Sequence, residues 1–128
     1  MAAPIAFAQG DTVRLTLTIN DGQGAPINIA TDTFEAKIKD IANLGVSLGD
    51  FTWALTTDGS DGKVTLTLTT AVTLAIPSNV AYNAKGVASA TPTAVYFYDV
   101  YRTKVDTTKR RIANGLVTVE PTITLTAT

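Results

Sequence analysis

The 128-residue sequence contains no cysteine and no histidine. Without cysteine, the chain can form no disulfide and has no thiolate nucleophile. Without histidine, it lacks the side chain that most often activates a serine, and the two absences together remove the ligands of the commonest zinc sites. We therefore expect no catalytic residue, no metal site and no cofactor.

Charge is also scarce, because charged residues make up 16% of the chain and the net charge is −1. Such a chain has no long-range field that would hold it on a nucleic-acid backbone. No segment approaches the roughly 20 apolar residues that span a bilayer. The expected partners therefore exclude nucleic acid and membrane, while a hydrophobic content of 45% predicts a folded domain.

What the chain has in quantity is threonine, with 23 residues that fall mostly at alternate positions. The segments 12–19, 63–70 and 116–126 read TVRLTLTI, KVTLTLTT and LVTVEPTITLT. Successive side chains of a strand point to opposite faces, so one face of each segment is apolar and the other carries threonine. This pattern predicts antiparallel β-sheet with one solvated face.

Further alternating segments lie at 33–40, 51–57 and 94–102, and two Asp-Gly pairs at 58–62 predict a hairpin turn. Phe51, Trp53 and Leu55 are expected in the core. Residues 41–50 are interpreted as an irregular connection, and no helix is expected in the loosely patterned stretch after Thr70.

Seven to eight short strands without helical periodicity predict an all-β fold. The preferred architecture is an antiparallel two-sheet β-sandwich of the immunoglobulin-like type. A closed barrel is the alternative, because the two-residue period is the same in both architectures. Residues 1–10 are interpreted as an extended N-terminal arm and residues 11–128 as a single β-sandwich domain.

Two acidic patterns could suggest chemistry. The eleven acidic residues allow a carboxylate pair of the glycosidase type, but nearly all are expected in turns or on solvated strand faces. Asp58, Ser60 and Gly62 are spaced like the start of a calcium loop, yet Thr69 occupies the position where that loop needs a glutamate. A plain β-turn is the preferred interpretation.

Aromatic residues crowd the strand at 94–102. Its period places Tyr96 and Tyr98 on one face and Phe97 and Tyr101 on the other, so both faces need cover. The cover could come from the loop at 80–92, from the arm or from another subunit, and the basic loop at 104–111 is either solvated or a contact for an anionic surface. The candidate interaction residues are Ile5, Phe7, Tyr82, Tyr96, Phe97, Tyr98, Tyr101, Arg110 and Arg111.

The runs GKVTLTLT, YFYDVYR and RRIANGLVTVEPTIT resemble small virion proteins of tailed bacteriophages. The likeness is to the N-terminal β-sandwich domain of baseplate upper proteins and tail fibres. Its motif positions are Tyr98, Asp99, Val100, Gly115, Val117, Val119 and Pro121. A fibre or baseplate protein would continue beyond Thr128, so the expectation is a complete small accessory protein.

The resemblance implies a non-enzymatic structural or accessory protein located in the virion. Such a protein would decorate the capsid or attach tail fibres, and it would assemble on other phage virion proteins of the capsid or tail as a homo-oligomer. The arm is expected to add to an open sheet edge, so that deleting residues 1–9 would weaken assembly and leave the fold intact. The alternative is a carbohydrate-binding or adhesion module in which Tyr82, Tyr96 and Tyr101 stack on sugar rings.

Overall fold

The computed structural model describes residues 3–80 and 94–121, and these residues form two β-sheets packed together. The larger sheet has the strand order β1-β8-β7-β3-β4, and the smaller has the order β2-β6-β5. The predicted all-β, two-sheet architecture is confirmed. The elements are β1 (Ile5–Ala8), β2 (Val13–Thr18), β3 (Thr33–Asp40), β4 (Asn43–Asp50), β5 (Thr52–Leu55), β6 (Lys63–Leu68), α1 (Thr70–Ala75), β7 (Tyr96–Thr103) and β8 (Lys109–Glu120).

The core lies between the two sheets and follows the predicted alternation. In β6, Val64, Leu66 and Leu68 are fully buried, while the threonines between them are partly exposed. The apolar positions of β3 are buried in the same way, whereas those of β2 are buried or half-buried. The two-residue period therefore predicts correctly which side of these strands faces the core.

The hairpin predicted at 58–62 is confirmed between β5 and β6. Gly59 has a positive φ, and a Cβ there would lie 2.7 Å from the backbone of Ala30. The Asp58 carboxylate accepts hydrogen bonds from the hydroxyl and the amide of Ser60. The hydroxyl bond is the main cause of the lowered pKa of Asp58. This carboxylate therefore closes the turn.

The interpretation of residues 41–50 as an irregular connection is wrong, because they contain β4. The register moves from Lys39 opposite Ser47 to Asp40 opposite Asn43. Leu48 and residues 44–46 are therefore extra on β4 and form a bulged stretch at the sheet edge. Inside the bulge the burial does not alternate, so the sequence period does not reveal the strand.

The expectation that no helix follows Thr70 is also wrong. Helix α1 has six residues, which is too short for an amphipathic period to be visible. Its buried Thr73 hydroxyl donates to the carbonyl of Asp11 at 2.6 Å and accepts from the amide of Gly10 at 3.1 Å. Helix α1 thus anchors the end of the N-terminal segment. In the described part of the chain, no helix has the length and apolarity needed to cross a membrane.

Two predictions of detail also need correction. Trp53 packs edge-on against Phe34 with ring centroids 5.3 Å apart, but it is 37% exposed because β5 is an edge strand of the smaller sheet. The larger sheet is not purely antiparallel, because β1 pairs parallel with β8. The segment interpreted as an arm therefore forms the edge strand of this sheet.

Candidate functional site

The two faces of β7 have different environments, as the alternation predicts. Tyr96 and Tyr98 point between the sheets and are buried. Burial raises the pKa of both phenols, and the Asp40 carboxylate adds to the shift at Tyr96. Phe97 and Tyr101 lie on the opposite side, which we call the outer face of the larger sheet, and both are half-buried. Of the four aromatic residues in this strand, only these two can contact another molecule.

The Tyr98 side chain binds Ala3, two residues before β1, across the space left by a glycine. Gly115 lies directly opposite Tyr98 in the β7–β8 ladder. The Tyr98 hydroxyl donates to the carbonyl of Ala3 at 2.7 Å, and the Ala3 amide donates to the carbonyl of Asn114 at 3.0 Å. A Cβ at position 115 would overlap the Ala3 carbonyl and lie 2.8 Å from the Tyr98 ring. The chain can therefore approach β8 here only because position 115 has no side chain.

The other two candidates in β1 cover the core of their own chain. Phe7 is buried opposite Val119, and Ile5 is half-buried opposite Val117. The amide of Gln9 continues the pairing by donating to the carbonyl of Glu120 at 2.9 Å. The edge pairing expected of the arm therefore occurs within one molecule.

The outer face carries a group of exposed or half-buried apolar side chains, which we call the apolar row: Ile41, Val95, Phe97 and Leu116. Leu116 pairs with Phe97 across β7 and β8, and the Ile41 amide donates to the Val95 carbonyl at 2.9 Å. Leu116 is 61% exposed, Ile41 59% and Val95 42%. Scattered apolar residues are normal on a surface, but a contiguous group on a sheet face typically marks an interaction site.

A groove of about 470 Å³ adjoins the apolar row. Most of its surface is apolar, and the three polar side chains are Asp99, Arg111 and Asn114. Since Ala3 and Pro4, the two residues before β1, supply one wall, the docking of the N-terminal segment shapes the groove. The lining residues are Ala3, Pro4, Phe97, Asp99, Arg111, Asn114, Gly115 and Leu116.

The Asp99 carboxylate in this groove is incompletely paired. Its Oδ1 is buried and accepts no hydrogen bond within the described residues. The Nη1 atom of Arg111 lies 3.7 Å away, and the arginine side chain is half-exposed. Leaving a buried acceptor unsatisfied costs about 1–3 kcal/mol, so a shift of the Arg111 side chain that brings Nη1 within hydrogen-bond distance would stabilise this carboxylate.

Arg110 and Arg111 do not form the single basic cluster that their adjacency suggests. Arg111 lies on the outer face, whereas Arg110 lines a separate cleft of about 360 Å³ at the mouth of the sandwich. In that cleft Arg102 forms a largely buried ion pair with Asp32 at 2.5 Å. Tyr82 lies outside the described residues, and so does the rest of the loop at 80–92 except Val80.

Sequence reasoning missed Leu116, Asp99 and Asn114 as site residues. Leu116 had a visible signal, because it is apolar at a position where the alternation of β8 predicts a solvated side chain. The roles of Asp99 and Asn114 depend on which strands are neighbours, and the period of a single strand does not contain that information.

No three or more acidic side chains are grouped to hold a metal ion in the ranges 3–80 and 94–121. Comparisons with known protein families and with curated proteins found no match to the chain. Its function must therefore be inferred from the outer face.

Proposed function

We propose that the chain is a non-enzymatic structural or accessory component of a tailed-bacteriophage virion that assembles on other virion proteins. The observation that carries this proposal is the apolar row on the outer face. A sheet with one face on the core normally presents polar side chains on the other, so a contiguous apolar group indicates a surface that another protein covers. The sequence resemblance supplies the virion as the context.

The composition of the groove supports a binding role over catalysis. Its described lining contains one carboxylate, Asp99, whereas glycoside hydrolysis requires two acidic groups flanking the bond. Arg111 and Asn114 are donors that orient a partner and activate no nucleophile. A groove with this lining is suited to binding the surface of another protein.

We further infer that the sandwich has immunoglobulin-like connectivity of the variable type. The order β8-β7-β3-β4 facing β2-β6-β5 corresponds to strands G-F-C-C′ facing B-E-D, with β1 added beside G. The chain lacks the inter-sheet disulfide of antibody domains because it has no cysteine. Domains of this class commonly serve as recognition modules, which agrees with an assembly role.

The test is incorporation of Leu116→Lys into phage particles. Because Leu116 is 61% exposed, the variant should fold with an unchanged free energy of unfolding, yet it would place a charge in the apolar row. Burying that charge costs more than 1.4 kcal/mol, so we expect at least about tenfold less protein in purified particles, measured by quantitative mass spectrometry. Thr16→Lys, at an exposed position of the smaller sheet, is the matched control and should be incorporated normally. Equal incorporation of both variants would contradict the proposal.

The second candidate is carbohydrate binding, which one observation favours. The groove places the Phe97 ring near a carboxylate and an amide, a combination that can stack on a sugar and bond its hydroxyls. Among the tyrosines considered for this role, Tyr96 is buried and Tyr101 carries the Lys109 ammonium 5.0 Å from its ring centroid. Titrating the protein with a panel of oligosaccharides while recording amide NMR shifts tests this candidate. Saturable shifts at Phe97 and Asn114 would support it, and a flat response would contradict it.

A further inference from the structure

We propose that the cleft at the mouth of the sandwich binds an oxyanion, a carboxylate or a phosphate, between Arg102 and Arg110. The cleft encloses about 360 Å³, which lies within the roughly 300–1,000 Å³ of ligand pockets. Its walls come from the connection between β2 and β3 and from the hairpin of β7 and β8. The apolar row contacts the other end of β7, so this site is independent of the proposed function.

Three cationic side chains line one wall of the cleft: Arg102, Lys104 and Arg110. Arg102 and Arg110 are directly opposite each other in the ladder of β7 and β8. Like charges in that position destabilise a pair of strands. An anion bound between the two guanidinium groups would replace this repulsion with two attractions.

Asp32 holds the Arg102 side chain in place and leaves most of its donors unused. Nε of Arg102 donates to Oδ2 of Asp32 at 2.5 Å, and both side chains are largely buried. An arginine has five N–H donors, and within residues 3–80 and 94–121 this is the one hydrogen bond that the side chain makes. The amino groups are not among the buried atoms without a partner, so they keep contact with solvent in the cleft. Arg102 therefore presents a fixed fork of the kind that pairs with carboxylates and phosphates.

Arg110 is a cation without a counterion. Its side chain is exposed, and it forms no ion pair or hydrogen bond with the part of the chain that the structure describes. Asp21 is the carboxylate in the described lining, but it forms no ion pair there either. Its Oδ1 accepts from the amides of Gln23 and Ala25 at 2.8 and 3.0 Å, so this carboxylate closes its own turn. The charge of Arg110 is therefore available to a ligand.

The hairpin of β7 and β8 holds the cationic wall through a strained turn. Thr107 has a φ of 71°, a left-handed conformation that is a genuine outlier for a β-branched residue. Its amide donates to the Lys104 carbonyl at 2.8 Å. Asp106 closes the same turn, because its Oδ1 accepts the Thr108 amide at 3.0 Å, and among the described residues it has no ion pair with Lys104. Strained residues cluster at ligand-binding sites, and this turn places Lys104 and Thr108 in the wall of the cleft.

The remaining lining strengthens the attraction for an anion. Ile19, Ile27 and Ile112 line the cleft and are half-buried. Apolar walls lower the local dielectric, so a bound anion interacts more strongly with the guanidinium groups than it would on an open surface. Carboxylates and phosphates both accept two parallel bonds from an arginine, and this shared chemistry defines the expected ligand.

Titrations of the full chain with inorganic phosphate and with glutarate test the site. In ¹⁵N-labelled protein at constant ionic strength, we expect the Nε–H signals of Arg102 and Arg110 to shift and to saturate. Saturation by phosphate would identify phosphate as a ligand, and saturation by glutarate alone would identify a carboxylate site. Shifts that stay linear with both anions, or that sodium chloride reproduces, would overturn the proposal.

Substitution of Arg110 provides the quantitative test. Arg110→Gln should weaken anion binding at least about tenfold, because it removes a charge-assisted pair from the ligand. Arg110 is exposed and repelled by Arg102, so without anion the variant should keep the wild-type free energy of unfolding. The matched control, Arg14→Gln, removes the same charge from the solvated face of the smaller sheet and should change the affinity less than about twofold. Equal weakening by the two variants would reflect net charge alone and would overturn the site.

Discussion

Replacing Gly115 with alanine should detach Ala3, two residues before β1, from β8. A Cβ at this position would overlap the Ala3 carbonyl oxygen and lie 2.7 Å from its carbonyl carbon. The Tyr98 ring, 2.8 Å away on the other side, closes the alternative direction. Since both neighbours are fixed by backbone pairing or burial, the strain is relieved most cheaply when Ala3 leaves the sheet.

The cost follows from the contacts that Ala3 makes. Detachment breaks the bond from the Ala3 amide to Asn114 and the bond from the Tyr98 hydroxyl to Ala3. The bond from the Ala3 amide contributes about 0.5–1.5 kcal/mol net. The buried Tyr98 hydroxyl loses its partner at a cost of about 1–3 kcal/mol, and freeing Ala3 returns about 1–2 kcal/mol of backbone entropy. Phe7 remains in the core, so we expect a net loss of about 1–3 kcal/mol.

Two measurements check this prediction. Urea unfolding gives the free-energy difference, and amide hydrogen exchange should show loss of protection at Ala3 while the amides of β6 stay protected. Gly45→Ala is the matched control, because the nearest atom to a Cβ there is an Asn43 side-chain oxygen 3.9 Å away. Equal stabilities of the two variants, with Ala3 still protected, would refute the close approach of Ala3 to Gly115.

Three further predictions concern buried and titratable groups. Asn79 is buried, and its side chain accepts from the Val119 amide and donates to two carbonyls. Asn79→Ala should therefore cost at least about 2 kcal/mol in urea unfolding, whereas the exposed Asn28→Ala should cost under about 1 kcal/mol. Burial raises the pKa of Tyr98, so its contribution is complete below its ordinary pKa near 10 and is lost as pH rises through the folded value. Tyr98→Phe should accordingly flatten the fall in stability above about pH 10, and an unchanged profile would contradict this. The pKa of Asp58 is shifted in the opposite direction, because it is lowered. The stability that the Asp58 carboxylate contributes is present above its ordinary pKa near 3.9 and is lost as pH falls through the lower folded value. Asp58→Ala should therefore reduce the acid sensitivity of the hairpin amides.

The fold was predictable where a strand buries one face and exposes the other. In β6, valine and leucine alternate with threonine and occupy fully buried positions. The same logic failed at β4, because its bulge removes the alternation, and at α1, because six residues are fewer than two helical turns. Both failures lie at the edge of the larger sheet, where tertiary contacts determine the local structure.

For the candidate site, the sequence predicted only which side chains of β7 face outward. The period of β7 separated Phe97 and Tyr101 from the two buried tyrosines, and that division is what the structure has. The groove itself depends on strand neighbours. Asp99 lies in it because Asn114 is its partner across the ladder, and Arg111 comes within 3.7 Å of it just before the bulge at Ile112 in β8. Such juxtapositions arise from topology and have no counterpart in the spacing of residues along the chain.

The N-terminal segment and the outer face are physically one unit, and this changes how an arm deletion must be interpreted. Ala3 and Pro4 form a wall of the groove, while Phe7, four positions after Ala3, is buried in the core. Removing residues 1–9 would therefore take away a groove wall and also expose core surface, so loss of assembly in that variant would not distinguish an interface from a destabilised fold. Leu116 lies on the outer face, is exposed and forms no part of the core. A loss of assembly on its substitution, with the stability unchanged, can come only from the surface itself.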